Sequence, residues 1–228
     1  MKYQKWIDQL GIRLPVRFRP STQTQICSPL RGMTDQEHIL EIDQTAWQSD
    51  ILISLCQAVL AERIDPLFST YYFDEHVTTE SCQIFIQATS PILDIWASDV
   101  AFQIEPAMMR EEISELVLAI EPDEETLDLD MLASVATLLA QVRRYDINVE
   151  LEIVEHMIDD YVTYLATLPT EPTLTNLKEA ACTVCRILGL PEPELSFSDV
   201  NVAIWKIPFD IPQLLREQQR QQGQQRQT

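Results

Sequence analysis

The side chains best able to move protons, attack carbonyl carbons or hold metal ions are His38, His76 and His156, together with Cys27, Cys56, Cys82, Cys182 and Cys185. Their spacing excludes several chemistries. No His-Glu-x-x-His pair occurs, so a zincin-type metal site is ruled out. Around His156 stand Glu152, Asp159 and Asp160, at helical spacing. A di-metal bundle site needs Glu three residues before the histidine, and position 153 is Ile. The apolar residues Leu151, Val154, Ile158 and Leu165 fall on the opposite side of a helical wheel, which makes His156 part of a solvated charged face. His38 follows Asp35 in what reads as a first helical turn, where acids are favoured by the helix dipole without any catalytic role. His76 is the most site-like histidine, because Asp74 and Glu75 adjoin it and Tyr71 and Tyr72 are near. An exposed polar turn has the same composition.

Cys182 and Cys185 form a Cys-x-x-Cys pair inside an apolar helical stretch. Redox use requires a helix N-terminus and zinc requires a second ligand pair, so packed reduced thiols are the expectation. Gly11, Gly32, Gly189 and Gly223 are isolated from one another. Phosphate-cradling loops and Gly-x-Ser-x-Gly elbows need clustered glycines, which excludes P-loop, dinucleotide-binding and nucleophile-elbow enzymes. The acidic run from Glu121 to Asp130 lacks the glycine and ligand register of a calcium loop. It reads as the approach to a helix N-terminus, with Asp123, Glu124 and Glu125 able to dock a basic partner. No metal and no cofactor is expected.

Charge is sorted by position. Residues 1–33 carry Lys2, Lys5, Arg13, Arg17, Arg19 and Arg31 against Asp8 alone, while the whole chain has a net charge of -20. The acid excess therefore lies in residues 34–205, and such a body repels nucleic acid and anionic membranes. At 46% hydrophobic residues the chain is expected to be globular. No apolar run approaches a membrane span, and the first fifteen residues hold no continuous apolar segment, so a cytoplasmic location is expected.

The elements that would position these groups read as mainly α, a helical bundle-like fold with a small β element, or α+β. Residues 1–10 form an amphipathic helix with Tyr3, Trp6, Ile7 and Leu10 on one side and Gly11 as its stop. Residues 12–19 alternate as an extended segment, and Pro15 confines it to a sheet edge or a free arm. Residues 20–33 read as a loop, and Thr34 to Glu37 read as a capping box that starts a helix running toward Leu60, whole or broken near Ser49. Aromatic and β-branched residues in 68–104 predict a hairpin or three-stranded sheet. Helices are predicted over 106–120, 127–144, 148–168 and 174–188. Residues 196–207 read as a strand or short helix, and Pro212 opens a last helix that runs into a Gln-rich tail.

The expected organisation is a basic helix and arm over 1–33, an acidic mainly helical domain over 34–207, and a short helix with a flexible tail over 208–228. The leading functional expectation is a non-enzymatic protein–protein interaction module, such as an adaptor, assembly factor or regulator. Its partner contacts would be Lys2, Lys5, Trp6, Arg13, Arg17, Phe18 and Arg19 on the arm, and Asp123, Glu124 and Glu125 on the body. The arm could instead contact nucleic-acid phosphates, with Trp6 and Phe18 for stacking, or be an edge strand of the protein's own sheet, held against the acidic body. Two alternatives stand beside the leading expectation: an enzyme or small-ligand site at Asp74-Glu75-His76, and an acidic mimic of nucleic acid that inhibits a binding protein.

Overall fold

The structure is a computed structural model and describes residues 3–29, 36–119, 128–149, 156–198 and 202–207. Its first element is helix α1 (Gln4–Leu10), which buries Trp6 and Leu10 and ends on Gly11 at φ 67. That left-handed conformation is the one a helix-ending glycine adopts without a Cβ penalty. Strand β1 (Val16–Ser21) follows as an edge strand, paired in parallel with β3 (His38–Asp43). Strand β2 (Gln25–Cys27) pairs with the other side of β3 in antiparallel fashion, giving the sheet order β1-β3-β2.

This sheet corrects two expectations. Residues 20–33 are not wholly loop, because β2 lies within them. The helix expected from Thr34 is a strand where it is described, and helix α2 begins only at Gln48 (Gln48–Arg63). Ile39 and Ile42 mimic helical spacing, but His38 and Leu40 are the buried pair and they alternate. Flanking strands satisfy the backbone of 38–43 on both sides, which a local propensity does not foresee. The capping-box residues Thr34 and Asp35 lie outside the described residues. The Asp50 carboxylate instead accepts from the Trp47 N–H at 3.2 Å and so closes the first turn of α2.

A 3-10 turn (Pro66–Phe68) and an extended segment lead to α3 (Thr79–Ile104), a 26-residue helix capped by the Thr78 hydroxyl, which accepts from Ser81 N–H. Here too the sequence expectation is overturned, since most of the predicted sheet is helix. Phe85, Ala88, Ile92, Ile95 and Trp96 repeat at helical spacing and are buried, and that packing outweighs the β-branched content. Only Phe73 keeps a bridge, to Trp205 in the final hairpin, whose strands are β4 (Glu194–Phe197) and β5 (Ala203–Lys206). Within residues 196–207, Ser196–Phe197 and Ala203–Lys206 are therefore strand.

Helices α4 (Pro106–Leu118), α5 (Leu129–Arg144), α6 (His156–Ala166) and α7 (Leu174–Ile187) match the predicted helices closely, and all pack on α3. The first part of the helix predicted over 148–168 and the helix predicted from Pro212 lie outside the described residues. The fold is mainly α with two small sheets. One core runs from Trp6 and Leu10 through α2 and α3 to Trp205, so α1 shares the core of the helices. Among the described residues no helix is long and apolar enough to cross a membrane.

Candidate functional site

His38 opens the central strand rather than a helix, and its side chain is 1% exposed. A buried imidazole needs partners on both nitrogens. Ser28, just past β2, places Oγ 2.8 Å from Nδ1. Glu62, in the last turn of α2, places Oε1 3.0 Å from Nε2. The sheet register sets Ser28 beside His38, and the packing of α2 across the sheet brings Glu62 from the other side.

Glu62 is anchored further by the backbone of the segment between α1 and β1. Leu14 N–H donates to Oε1 at 2.8 Å, and Arg13 N–H donates to both carboxylate oxygens at 3.0 Å. Burial works to raise its carboxyl, but the hydrogen bonds from Leu14, Arg13 and His38 outweigh burial and hold it below its ordinary value. An ionised carboxylate only accepts, so Nε2 carries the proton donated to Glu62. In the neutral ring Nδ1 is then the acceptor for the Ser28 hydroxyl. Ser28 is fixed in turn, because its N–H donates to Thr70 Oγ1 at 3.1 Å and its carbonyl accepts from Tyr72 O–H at 3.1 Å.

These three side chains line a cavity of about 210 Å³ together with Arg13, Leu14 and Gln36. Hydroxyl, imidazole and carboxylate in sequence is an arrangement that can activate an oxygen nucleophile. The cluster was not legible as a site. Ser28 and Glu62 carry no local motif and stand 10 and 24 positions from His38. The one available signal was the alternation of His38, Leu40 and Ile42 against Ile39, Glu41 and Asp43.

The sequence-predicted positions are distributed elsewhere. Glu75 and His76 side chains are each 86% exposed and 3.8 Å apart, without the enclosure a chemical site requires. The Asp74 carboxylate accepts from the His76 N–H at 3.1 Å and forms a local turn. Of the arm residues, Lys5 pairs with Glu105 at 2.8 Å and Arg17 with Glu37 at 2.9 Å. Trp6 is 8% exposed, stacks on Tyr3 and donates Nε1–H to Glu105 at 3.1 Å. Phe18 packs on Tyr3, while Arg13 and Arg19 are exposed. Lys2, Asp123, Glu124 and Glu125 lie outside the described residues, as does the side chain of His156.

Cys185 is buried in α7 and its thiol is pushed up to about 12 by burial, then by Cys182 and Glu192. Burial likewise raises Cys182, whose thiol donates to the Pro193 carbonyl at 3.4 Å. Neither thiol is an activated nucleophile. Among the described residues no group of three or more His, Cys, Asp or Glu side chains is placed to hold a metal ion.

A second feature lies on α4 and α5. These helices are antiparallel, since Arg110 near the start of α4 donates to the Tyr145 carbonyl at the end of α5, at 2.8 Å. Toward their other end Leu118 is 73% exposed and Met131 50% exposed. Glu111, Glu115 and Leu118 form one stripe on the solvent side of α4, and Asp128 and Asp130 stand beside Met131. No ion pair among the described residues engages any of these four carboxylates.

No family model, curated protein or solved structure matches this chain.

Proposed function

We propose that the chain is a protein–protein interaction module whose acidic helical surface receives a basic amphipathic segment of a partner. The observation that carries the reading is the exposure of Leu118 and Met131 among Glu111, Glu115, Asp128 and Asp130. Exposed large apolar side chains rimmed by one sign of charge suit a helix that presents Leu-type anchors with Lys or Arg around them. The sequence between α4 and α5 adds Glu121, Asp123, Glu124 and Glu125 to the same acidic run. Two of the arm's cations are engaged within the chain, Lys5 by Glu105 and Arg17 by Glu37.

A peptide-display selection against the folded chain tests the reading. Recovered peptides should be rich in Lys and Arg with apolar residues three and four apart. Their binding should weaken with salt, and should be lost in the Glu111→Lys/Glu115→Lys variant and in Leu118→Ser. Selection of uncharged or acidic peptides, or binding indifferent to both variants, would remove this surface as the interface.

A further inference from the structure

We propose that Ser28, His38 and Glu62 form an acyl-transfer site for a small ester that carries an anionic group. Three observations carry this. The distances of 2.8 Å from Ser28 Oγ to His38 Nδ1 and 3.0 Å from His38 Nε2 to Glu62 Oε1 satisfy the requirements for a nucleophile, a base and an orienting carboxylate. The three groups line a shared cavity of about 210 Å³, a size suited to a small substrate. The same cavity is lined by Arg13, an exposed residue whose guanidinium is in no ion pair among the described residues.

A purely structural role for the trio would need only that the imidazole be hydrogen-bonded. It would not need the hydroxyl, the ring and the carboxylate to line a cavity with a cation that no described acid engages. The imidazole uses Nδ1 toward the nucleophile and Nε2 toward the carboxylate, and either ring nitrogen can act as base when the other carries the proton.

In the forward step Ser28 Oγ forms a bond to the acyl carbon while its proton passes to His38 Nδ1. The bond from that carbon to the alcohol oxygen then breaks, and the departing oxygen takes the proton from Nδ1. Water repeats the sequence, giving one proton to Nδ1 and its oxygen to the acyl carbon. The Ser28 ester bond breaks, Oγ recovers its proton, and a carboxylic acid leaves. Glu62 stays ionised throughout and acts as a positioning residue, holding Nε2–H and favouring the imidazolium. Arg13 anchors the anionic end of the substrate.

The experiment uses the full chain with a fluorophosphonate probe, which phosphonylates an activated hydroxyl with loss of fluoride. Intact mass and peptide mapping should place one adduct on Ser28, absent in Ser28→Ala and absent from chain unfolded in urea. His38→Gln should slow labelling by about 100-fold or more. Glu62→Gln should slow labelling, and Glu62→Asp, which keeps a carboxylate, should recover part of the rate. A purely structural defect would leave the labelling rate of the folded fraction unchanged. 4-Nitrophenyl hydrogen succinate should be hydrolysed faster than 4-nitrophenyl butyrate, and Arg13→Gln should abolish that preference; Arg13 reaches Glu62 through its backbone N–H, so this variant keeps that contact. Absence of a Ser28 adduct on wild-type chain shown to be folded by circular dichroism overturns the proposal. So does ester hydrolysis by Ser28→Ala at the wild-type rate.

Discussion

Glu62 Oε1 lies 3.0 Å from His38 Nε2 and also accepts the Leu14 N–H at 2.8 Å, so one carboxylate fastens the central strand and the entry to β1 onto α2. Its folded carboxyl is held below the ordinary 4.5, against the pull of burial. A depressed carboxyl contributes stability above its unfolded value, and that contribution is lost as pH falls through the folded value. Glu62→Gln should cost about 1–3 kcal/mol at neutral pH through unmade hydrogen bonds. Thermal melts should show the gap between variant and wild type shrinking as pH drops below 4.5.

Asp94 has the opposite sign. It packs between α2 and α3, bonded to Gln57 Nε2 at 2.8 Å. Burial first, and then the charge of Asp50, raise its carboxyl to about 7. The folded state therefore favours the neutral form, and stability falls as pH rises from the unfolded 3.8 toward about 7. Asp94→Asn should melt higher than wild type at pH above 7, with an advantage that grows over that window and then levels off. An advantage independent of pH would refute the assignment.

Arg144 and Asp99 make a forked pair at 2.7 Å on both arms, and Arg144 also donates to the carbonyls of Ala166 and Leu168. Tyr145 O–H reaches the same Asp99 carboxylate at 2.9 Å. The pair joins α3, α5 and the end of α6 with little exposure, 9% and 15%. Breaking one partner strands the other, so Asp99→Asn or Arg144→Lys should cost about 3 kcal/mol in urea unfolding, the lysine because it cannot form the fork.

Trp6 supplies core as well as a hydrogen bond to Glu105. Trp6→Ala should destabilise the chain by about 3–5 kcal/mol. Lys5→Ala, which removes an exposed ion pair to the same Glu105, should change stability by less than about 1 kcal/mol. Equal effects would mean that α1 is held by charge alone.

The bundle was readable because its helices advertise themselves. α5 and α7 each repeat apolar residues on one face, and Gly189 at φ 68 follows the end of α7 as its position predicts. α1 was equally plain, with Trp6 and Leu10 inward and Gly11 behind them. Residues 79–104 misled because Ile84, Phe85 and Ile86 favour a strand locally, and only contact with six surrounding helices decides for helix.

The sequence by itself determined the helical class, the acid excess, the lack of glycine-built phosphate cradles and the edge character of the segment around Pro15. These follow from periodicity, composition and backbone rules that act over a few residues. The tertiary structure alone decided that His38 belongs to a central strand and that Ser28 and Glu62 close on it. It also decided that Lys5 and Arg17 are engaged by the body's own acids, and that Leu118 and Met131 stand exposed. Those relations depend on pairing between residues far apart in the chain. Strand register and helix packing fix such pairing through burial and hydrogen bonding of the whole molecule, and no local pattern of residue types encodes it.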